Sequence, residues 1–123
     1  MAQQLWTATI DRIGEFTDEM FDGGVFILFG DPVPDALAEV SIVHSVRRAP
    51  AREVVPGDIL ELGGVQLTLD EVGERANLNL TDLGHAVIYV NSPDQSLLPG
   101  AIKATGASRP HPTVGSPIVI RGE

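Results

Sequence analysis

Cysteine is absent from the 123-residue sequence, and lysine occurs only once, as Lys103. Without cysteine the chain can form neither a disulfide nor a thiolate metal site. Aromatic residues make up only 5% of the sequence, so a hydrophobic core has to be built from aliphatic side chains. No apolar run reaches the roughly 18 residues that a membrane-spanning helix requires. We therefore expect no direct insertion into a membrane.

Basic residues are scarce, with 8 Lys and Arg against 17 Asp and Glu, which gives a formal net charge of −9. This balance argues against nucleic acid as a partner, because phosphate backbones are bound through Lys and Arg. It favours association with a basic surface. The N-terminal stretch "MAQQLWTATIDRIG" lacks the basic start and apolar segment of a signal peptide, so we predict a cytoplasmic location.

The sequence consists mostly of short apolar segments separated by glycine and proline. Alternating or continuous apolar residues predict strands, and Gly63-Gly64 predicts a tight turn within a hairpin. The predicted strands are 5–13, 25–29, 41–43, both arms of the hairpin 58–72, 85–90, 101–106 and 117–122. Short helices are predicted at 34–39 and 74–84, the second ending at Gly84. These segments predict a mainly β single domain over residues 1–123, a small barrel or sandwich without an internal repeat.

Familiar catalytic motifs are also missing. The sequence has no GxSxG elbow, no Walker loop, no GxGxxG and no HExxH, and its three histidines lie far apart. We therefore predict neither a cofactor nor a metal site. Chemistry, if present, falls to His44, His85 or the carboxylates, because His111 lies between two prolines in a predicted exposed loop.

The segment "EVSIVHSVRR" (39–48) raises the question of chemistry most directly. His44 follows an aliphatic strand, and Arg47 and Arg48 come soon after it. One interpretation is a solvated strand end. The other is a reactive imidazole beside guanidinium groups, which bind phosphoryl oxygens in a bidentate manner. His85, at a helix-to-strand junction, allows the same two interpretations, and residue patterns alone leave both open.

The order of several motifs resembles the glucitol/sorbitol-specific IIA components of the bacterial phosphotransferase system (PTS). The resemblance runs from about Thr7 to the final strand. It is carried by "TATIDRIGE", "ILFGDPVPDALAEVSIVH", "VPGDILELGG", "DEVGERANLNLTDLGHAVIYV" and "LLPGAIKATG". It implies a small β-barrel that accepts a phosphoryl group from the phosphocarrier HPr. The barrel then passes that group to the IIB domain of a glucitol/sorbitol permease, whose IIC component lies in the membrane.

The resemblance also implies roles for particular residues. The phosphorylated histidine of the family corresponds to His44, and the "LGH" element places His85 in the family pattern. Family members tend to carry a second histidine where this chain has Val46, so Arg47 and Arg48 become candidate accessory residues with His85. The alternative is a non-catalytic interaction or regulatory barrel in which His44 is structural.

A histidine that two partner proteins reach in turn is expected to lie at a shallow, exposed site. Because His44 lies at the end of a predicted strand, we expect His44→Ala to remove little packing and to cost only about 0.5–1 kcal/mol of stability.

Overall fold

The computed structural model describes residues 3–45 and 50–122 of the chain. Within these residues there are eight strands and three short helices. The strands are β1 (Gln3–Ile13), β2 (Val25–Gly30), β3 (Ile42–His44), β4 (Ile59–Leu62), β5 (Val65–Val72), β6 (Ala86–Val90), β7 (Ala101–Thr105) and β8 (Pro117–Gly122). The helices are α1 (Thr17–Asp22), α2 (Asp35–Ala38) and α3 (Ala76–Leu83). None of these helices is long and apolar enough to cross a membrane.

The strands form a closed barrel in the order β1-β3-β2-β6-β7-β5-β4-β8. The predicted mainly β fold class, with its barrel architecture, is therefore confirmed. The predicted hairpin is also present, because β4 pairs antiparallel with β5 and the two are joined by Gly63 and Gly64. Both glycines have positive φ angles, +56° and +78°, which a residue with a side chain adopts at a steric cost.

The barrel interior is filled by one face of each strand. In β1 the alternation predicted from the sequence is observed, since Trp6, Ala8 and Ile10 are buried while Thr9 and Asp11 are exposed. The core is otherwise mainly aliphatic, as the low aromatic content requires.

The three helices lie in the connections between strands. Helix α3 ends at Gly84, whose φ of +63° is the left-handed conformation expected after a helix C-terminus. Pro34, predicted as the first helical residue, is extended (ψ 140°), and α2 begins one residue later at Asp35. Helix α1 was not predicted. Its buried Phe21 stacks on Phe26 of β2, a contact between elements that local sequence does not reveal.

The strand registers reveal an internal two-fold repeat, which the sequence analysis did not find. In the parallel pair β2–β3, Leu28 lies opposite Ile42; in the parallel pair β6–β7, Ile88 lies opposite Ile102. Each member of the second pair is 60 positions after its counterpart in the first. We call β8-β1-β3-β2 the first half-barrel and β4-β5-β7-β6 the second half-barrel. They occupy equivalent places in the closed sheet.

The repeat extends to irregular features. In the first half-barrel Ile10 pairs with His44, and in the second Leu69 pairs with Ala104; a bulge follows on β1 and on β5 at the same place. The segments at these bulges are "TIDRIGE" (9–15) and "TLDEVGE" (68–74). The glycines of these two segments donate their N–H groups to equivalent carbonyls, at 2.9 and 2.8 Å. The position equivalent to His44 is therefore Ala104.

Candidate functional site

His44 is the last residue of β3, and its side chain points into the barrel. It lies two residues after Ile42, a member of the hydrophobic core, so alternation puts both on the inner face. The side chain has no exposed surface (0%). The expectation of a shallow, exposed histidine is therefore wrong for this structure. The last residue of β3 still lies within the closed sheet, so its side chain is covered.

Gly84 and Trp6 both contact the imidazole of His44. Its Nε2 lies 2.8 Å from the carbonyl oxygen of Gly84. Its ring meets Trp6 edge-on, with centroids 5.1 Å apart and planes at 89°. Truncating this residue would empty a packed, hydrogen-bonded position, so the structure contradicts the premise that His44→Ala removes little packing, and we now expect a larger stability cost.

Gly84 can approach the imidazole because it has no side chain. A Cβ atom placed on it would lie 2.5 Å from Cε1 and 2.8 Å from Nε2 of His44. Its left-handed conformation ends α3 and brings its carbonyl to the ring. The "LGH" element that carries the family resemblance thus contains the hydrogen-bond acceptor as well as His85. The sequence analysis noted Gly84 only as a helix end, and the link to His44, 40 positions away, required the fold.

His85 follows Gly84 and lies on the outer side of the sheet. Its ring packs against Phe29, with centroids 4.7 Å apart, and it is half-buried. Desolvation lowers the pKa of His85 below the usual 6.5, because burial disfavours the charged imidazolium. The structure therefore brings His44 and His85 to the same end of the barrel, on opposite faces of the sheet, with Gly84 between them.

Of the arginines that closely follow His44 in the sequence, Arg47, Arg48 and Arg52, the structure describes only Arg52. Arg47 and Arg48, the predicted accessory residues, lie outside the described residues, as does Val46. Arg52 binds the buried Asp58 carboxylate through both terminal nitrogens, each at 2.9 Å.

A different arginine lies near the His44 backbone. Arg12 pairs with Asp31 at 2.9 Å, and the backbone N–H of Asp31 donates to the carbonyl of His44 at 2.9 Å. The sequence analysis missed this pair because it depends on β1 lying beside β3. Neither residue adjoins His44 in sequence, so no local signal could have found them.

His111 is exposed, as predicted, in the loop before β8. Across residues 3–45 and 50–122, no three His, Asp or Glu side chains come together in an arrangement that could hold a metal ion.

Comparison with known proteins identifies the family of this chain. The model of the PTS system glucitol/sorbitol-specific IIA component matches residues 5–119. The chain belongs to this family. The PTS glucitol/sorbitol-specific EIIA component of Shigella flexneri is 26% identical over 102 residues, which cover 83% of this chain and 82% of that relative. The match to the family model spans His44, Gly84 and His85, so all three belong to the region shared with this IIA family.

The fold is also that of a solved relative. The crystal structure of a PTS system IIA component from Enterococcus faecalis V583 matches with a TM-score of 0.80 and 25% sequence identity. The match covers 92% of this chain and 97% of the other. The resemblance stated from the motifs is confirmed at the level of family and of fold.

Proposed function

We propose that this IIA component is a cytoplasmic phosphoryl carrier that accepts a phosphoryl group from phospho-HPr on His44. It then passes the group to the IIB domain of a glucitol/sorbitol-type permease. The observation that carries the proposal is the family match over residues 5–119, a range that includes His44. The resemblance of the motifs assigns His44 as the phosphohistidine. A neutral imidazole nitrogen can attack phosphorus and form a covalent intermediate that divides one transfer into two.

Burial of His44 adds a step to this function. A ring without exposed surface has to be uncovered before a partner's phosphohistidine can align with it. Proteins open locally at a lower free-energy cost than global unfolding, so only part of the domain has to rearrange. The proposal therefore includes local rearrangement at the barrel end that contains Gly84.

A net charge of −9 suits a basic partner surface. Association with HPr should weaken as salt rises, since exposed charges are screened beyond about 8 Å at physiological ionic strength. Binding that is insensitive to salt would contradict this electrostatic contribution.

The burial of His44 also favours a second candidate, a non-catalytic or regulatory barrel in which His44 is structural. Incubation with phosphoenolpyruvate, enzyme I and HPr, followed by mass spectrometry in mildly alkaline solution, separates the two. His44→Gln preserves much of the side-chain volume and an N–H donor, so it tests the chemistry with little loss of packing. We expect stoichiometric labelling of the unmodified protein and of His85→Gln, and no labelling of His44→Gln.

Full labelling of His44→Gln, or a phosphate mapped to His85 or His111, would reject His44 as the acceptor. Absence of labelling in the unmodified protein would favour the structural candidate.

A further inference from the structure

We infer that Asn77 controls access to His44. Its side chain binds a surface segment to helix α3 at the barrel end that contains His44, and release of this segment uncovers the imidazole for a partner. The inference rests on the proposed function, because it specifies which part of the barrel rearranges before phosphoryl transfer.

The segment is formed by residues 50–56, which we call the first strap. The strap precedes β4 and lies at the barrel end where β1 and β4 begin. The backbone N–H of Ala51 donates to the carbonyl of Leu5 in β1 at 2.8 Å. The side chain of Val54 belongs to the hydrophobic core and is 2% exposed, whereas the next residue, Val55, is exposed. The strap is therefore a surface segment that inserts an apolar side chain into the barrel.

Asn77, in the first turn of α3, binds the strap at this buried residue. Its Oδ1 accepts a hydrogen bond from the backbone N–H of Val54 at 2.7 Å, and its Nδ2 donates to the Val54 carbonyl at 2.9 Å. One side chain thus satisfies both backbone groups of Val54. Because an unpaired backbone group at a buried residue raises the free energy of the closed state, loss of Asn77 should favour release of the strap.

The strap joins the two elements that contact the His44 ring. Trp6, which meets the ring edge-on, follows Leu5 in β1. Gly84, whose carbonyl oxygen lies 2.8 Å from Nε2 of His44, ends α3. A strap bound to both elements holds them around the ring.

Release of the strap leaves the sheet itself intact. Only the bonds from Ala51 to β1 and from Asn77 to Val54 have to break, together with removal of one side chain from the core. Local openings of this size require less free energy than global unfolding. The strap changes the fraction of molecules in which the ring is exposed, and the chemistry of the transfer to His44 stays the same.

The opposite end of the barrel offers a matched control. Residues 106–114, which we call the second strap, precede β8. Arg109 binds this strap to α1, because its Nη1 donates to Asp22 at 2.6 Å and its Nη2 lies 3.3 Å from Oδ1 of Asp18. Asp18 and Asn77 occupy equivalent helix positions, since they are as far apart in the sequence as the segments "TIDRIGE" and "TLDEVGE". Arg109→Gln therefore loosens the equivalent strap.

The first experiment measures the exposure of His44 without a partner protein. Diethyl pyrocarbonate modifies accessible neutral imidazoles, and mass spectrometry assigns the modified residue, with the exposed His111 as internal standard. We expect Asn77→Ala to raise the rate of modification at His44 by roughly 10- to 100-fold, the factor expected for loss of two hydrogen bonds. Arg109→Gln should leave this rate unchanged, because the position equivalent to His44 at its end of the barrel is Ala104. Equal rates in Asn77→Ala and the unmodified protein would overturn the inference.

The second experiment measures transfer from phospho-HPr at a concentration below saturation. We expect Asn77→Ala to be phosphorylated at His44 roughly 10- to 100-fold faster than the unmodified protein, after correction for the folded fraction. Asn77→Asp keeps the acceptor for the Val54 N–H but loses the donor to the Val54 carbonyl, so its rate should be intermediate. Arg109→Gln should react at the unmodified rate. An unchanged or lower rate in Asn77→Ala would overturn the inference, because loss of a purely structural residue does not accelerate transfer.

The two experiments separate the inference from the proposed function. Faster modification of His44 in Asn77→Ala, with no phosphorylation of His44 in any of these proteins, would reject the carrier role and support the control of access. Phosphorylation of His44 at equal rates in all of them would support the carrier role and overturn the inference.

If Asn77→Ala does not fold, the unmodified protein decides. Hydrogen exchange at the Val54 N–H and modification of His44 should then increase by the same factor in mild urea, because one opening exposes both groups. Different dependences on urea would overturn the inference.

Discussion

The two half-barrels share one framework but differ in chemistry. Equivalent strands, bulges and backbone hydrogen bonds recur 58 to 60 positions apart. Yet the first half-barrel places His44 where the second places Ala104, and the carbonyls of the equivalent glycines Gly84 and Gly24 accept from different donors. The comparison teaches that the framework is maintained by repeated features, whereas the histidine site is made by residues that the repeat does not share.

The largest expected effect comes from making the first half-barrel resemble the second. His44→Ala removes a fully buried ring and leaves the Gly84 carbonyl without this donor. We expect the free energy of unfolding to fall by about 3 kcal/mol, as for other large-to-small core substitutions. Urea denaturation monitored by tryptophan fluorescence measures the loss, with His44→Gln as the milder control. A loss below about 1 kcal/mol would show that the ring is not packed as described.

A second pair of variants tests whether the frameworks are truly equivalent. A Cβ on Gly14 would overlap the carbonyl oxygens of Ala38 and Glu39, and one on Gly73 those of Leu98 and Pro99. We expect Gly14→Ala and Gly73→Ala each to cost about 2 kcal/mol, the usual scale of overpacking. Chemical denaturation of the two proteins under the same conditions makes the measurement. A difference above about 1 kcal/mol between them would break the equivalence.

Asp58 and Ser116 occupy equivalent turns, because their carbonyls accept from Leu69 and Ile10 respectively. Desolvation raises the pKa of Asp58, but hydrogen bonds from Arg52 and the Val55 N–H outweigh it and leave the pKa below the usual 3.8. We expect Asp58→Asn to lower the free energy of unfolding by about 1–2 kcal/mol at neutral pH. The substitution weakens the hydrogen bonds that Arg52 and the Val55 N–H donate to a charged carboxylate. Ser116→Ala, the matched change, should cost less.

The sign of the pH effect follows from the lowered pKa of Asp58. The carboxylate contributes stability above its unfolded pKa, and that stability is lost as pH falls through the folded pKa. Thermal melts between neutral and acid pH should therefore converge for the unmodified protein and Asp58→Asn. Equal stability at neutral pH would contradict the predicted role of the pair.

The smallest effect concerns His85, whose counterpart in the first half-barrel is Val25. Because the folded pKa of His85 lies below the unfolded value of 6.5, the unfolded chain binds more protons as pH falls below that value. The stability contribution is complete above pH 6.5 and declines below it. We expect His85→Gln to remove this part of the pH dependence in thermal melts. An unchanged pH profile in the variant would assign the dependence to other groups.

Much of the fold could be predicted because its signals are local. Alternation in β1, the Gly63-Gly64 turn and the glycine that ends α3 each act within a few residues. Helix α1 was missed because its burial depends on Phe26, and the repeat was missed because few positions outside the two TxDxxGE segments keep the same residue. Equivalent residues lie about 60 positions apart in the sequence, so an inspection of neighbouring residues does not reveal the repeat.

The site was predictable only in part for the same reason. His44 was singled out in the segment "EVSIVHSVRR" and assigned through the family resemblance, and its role as the phosphohistidine stays a prediction. Its burial was not foreseen because closure of the barrel places Trp6 of β1 against it. The contact from the Gly84 carbonyl was not foreseen either. Every residue has a backbone carbonyl, so the residue type does not indicate which carbonyl accepts a hydrogen bond from a side chain.

The register of the repeat has a consequence for how the chain assembles. Each half-barrel alone would end in two unpaired strands, β8 and β2 in one and β4 and β6 in the other. Open edges of this kind invite pairing with other chains. The two halves are also interleaved in the chain, because β8 belongs to the first half-barrel but follows the second, so their pairing is an intramolecular event. Closure of this barrel, and with it the contact between His44 and Gly84, therefore does not depend on how much of the protein a cell contains.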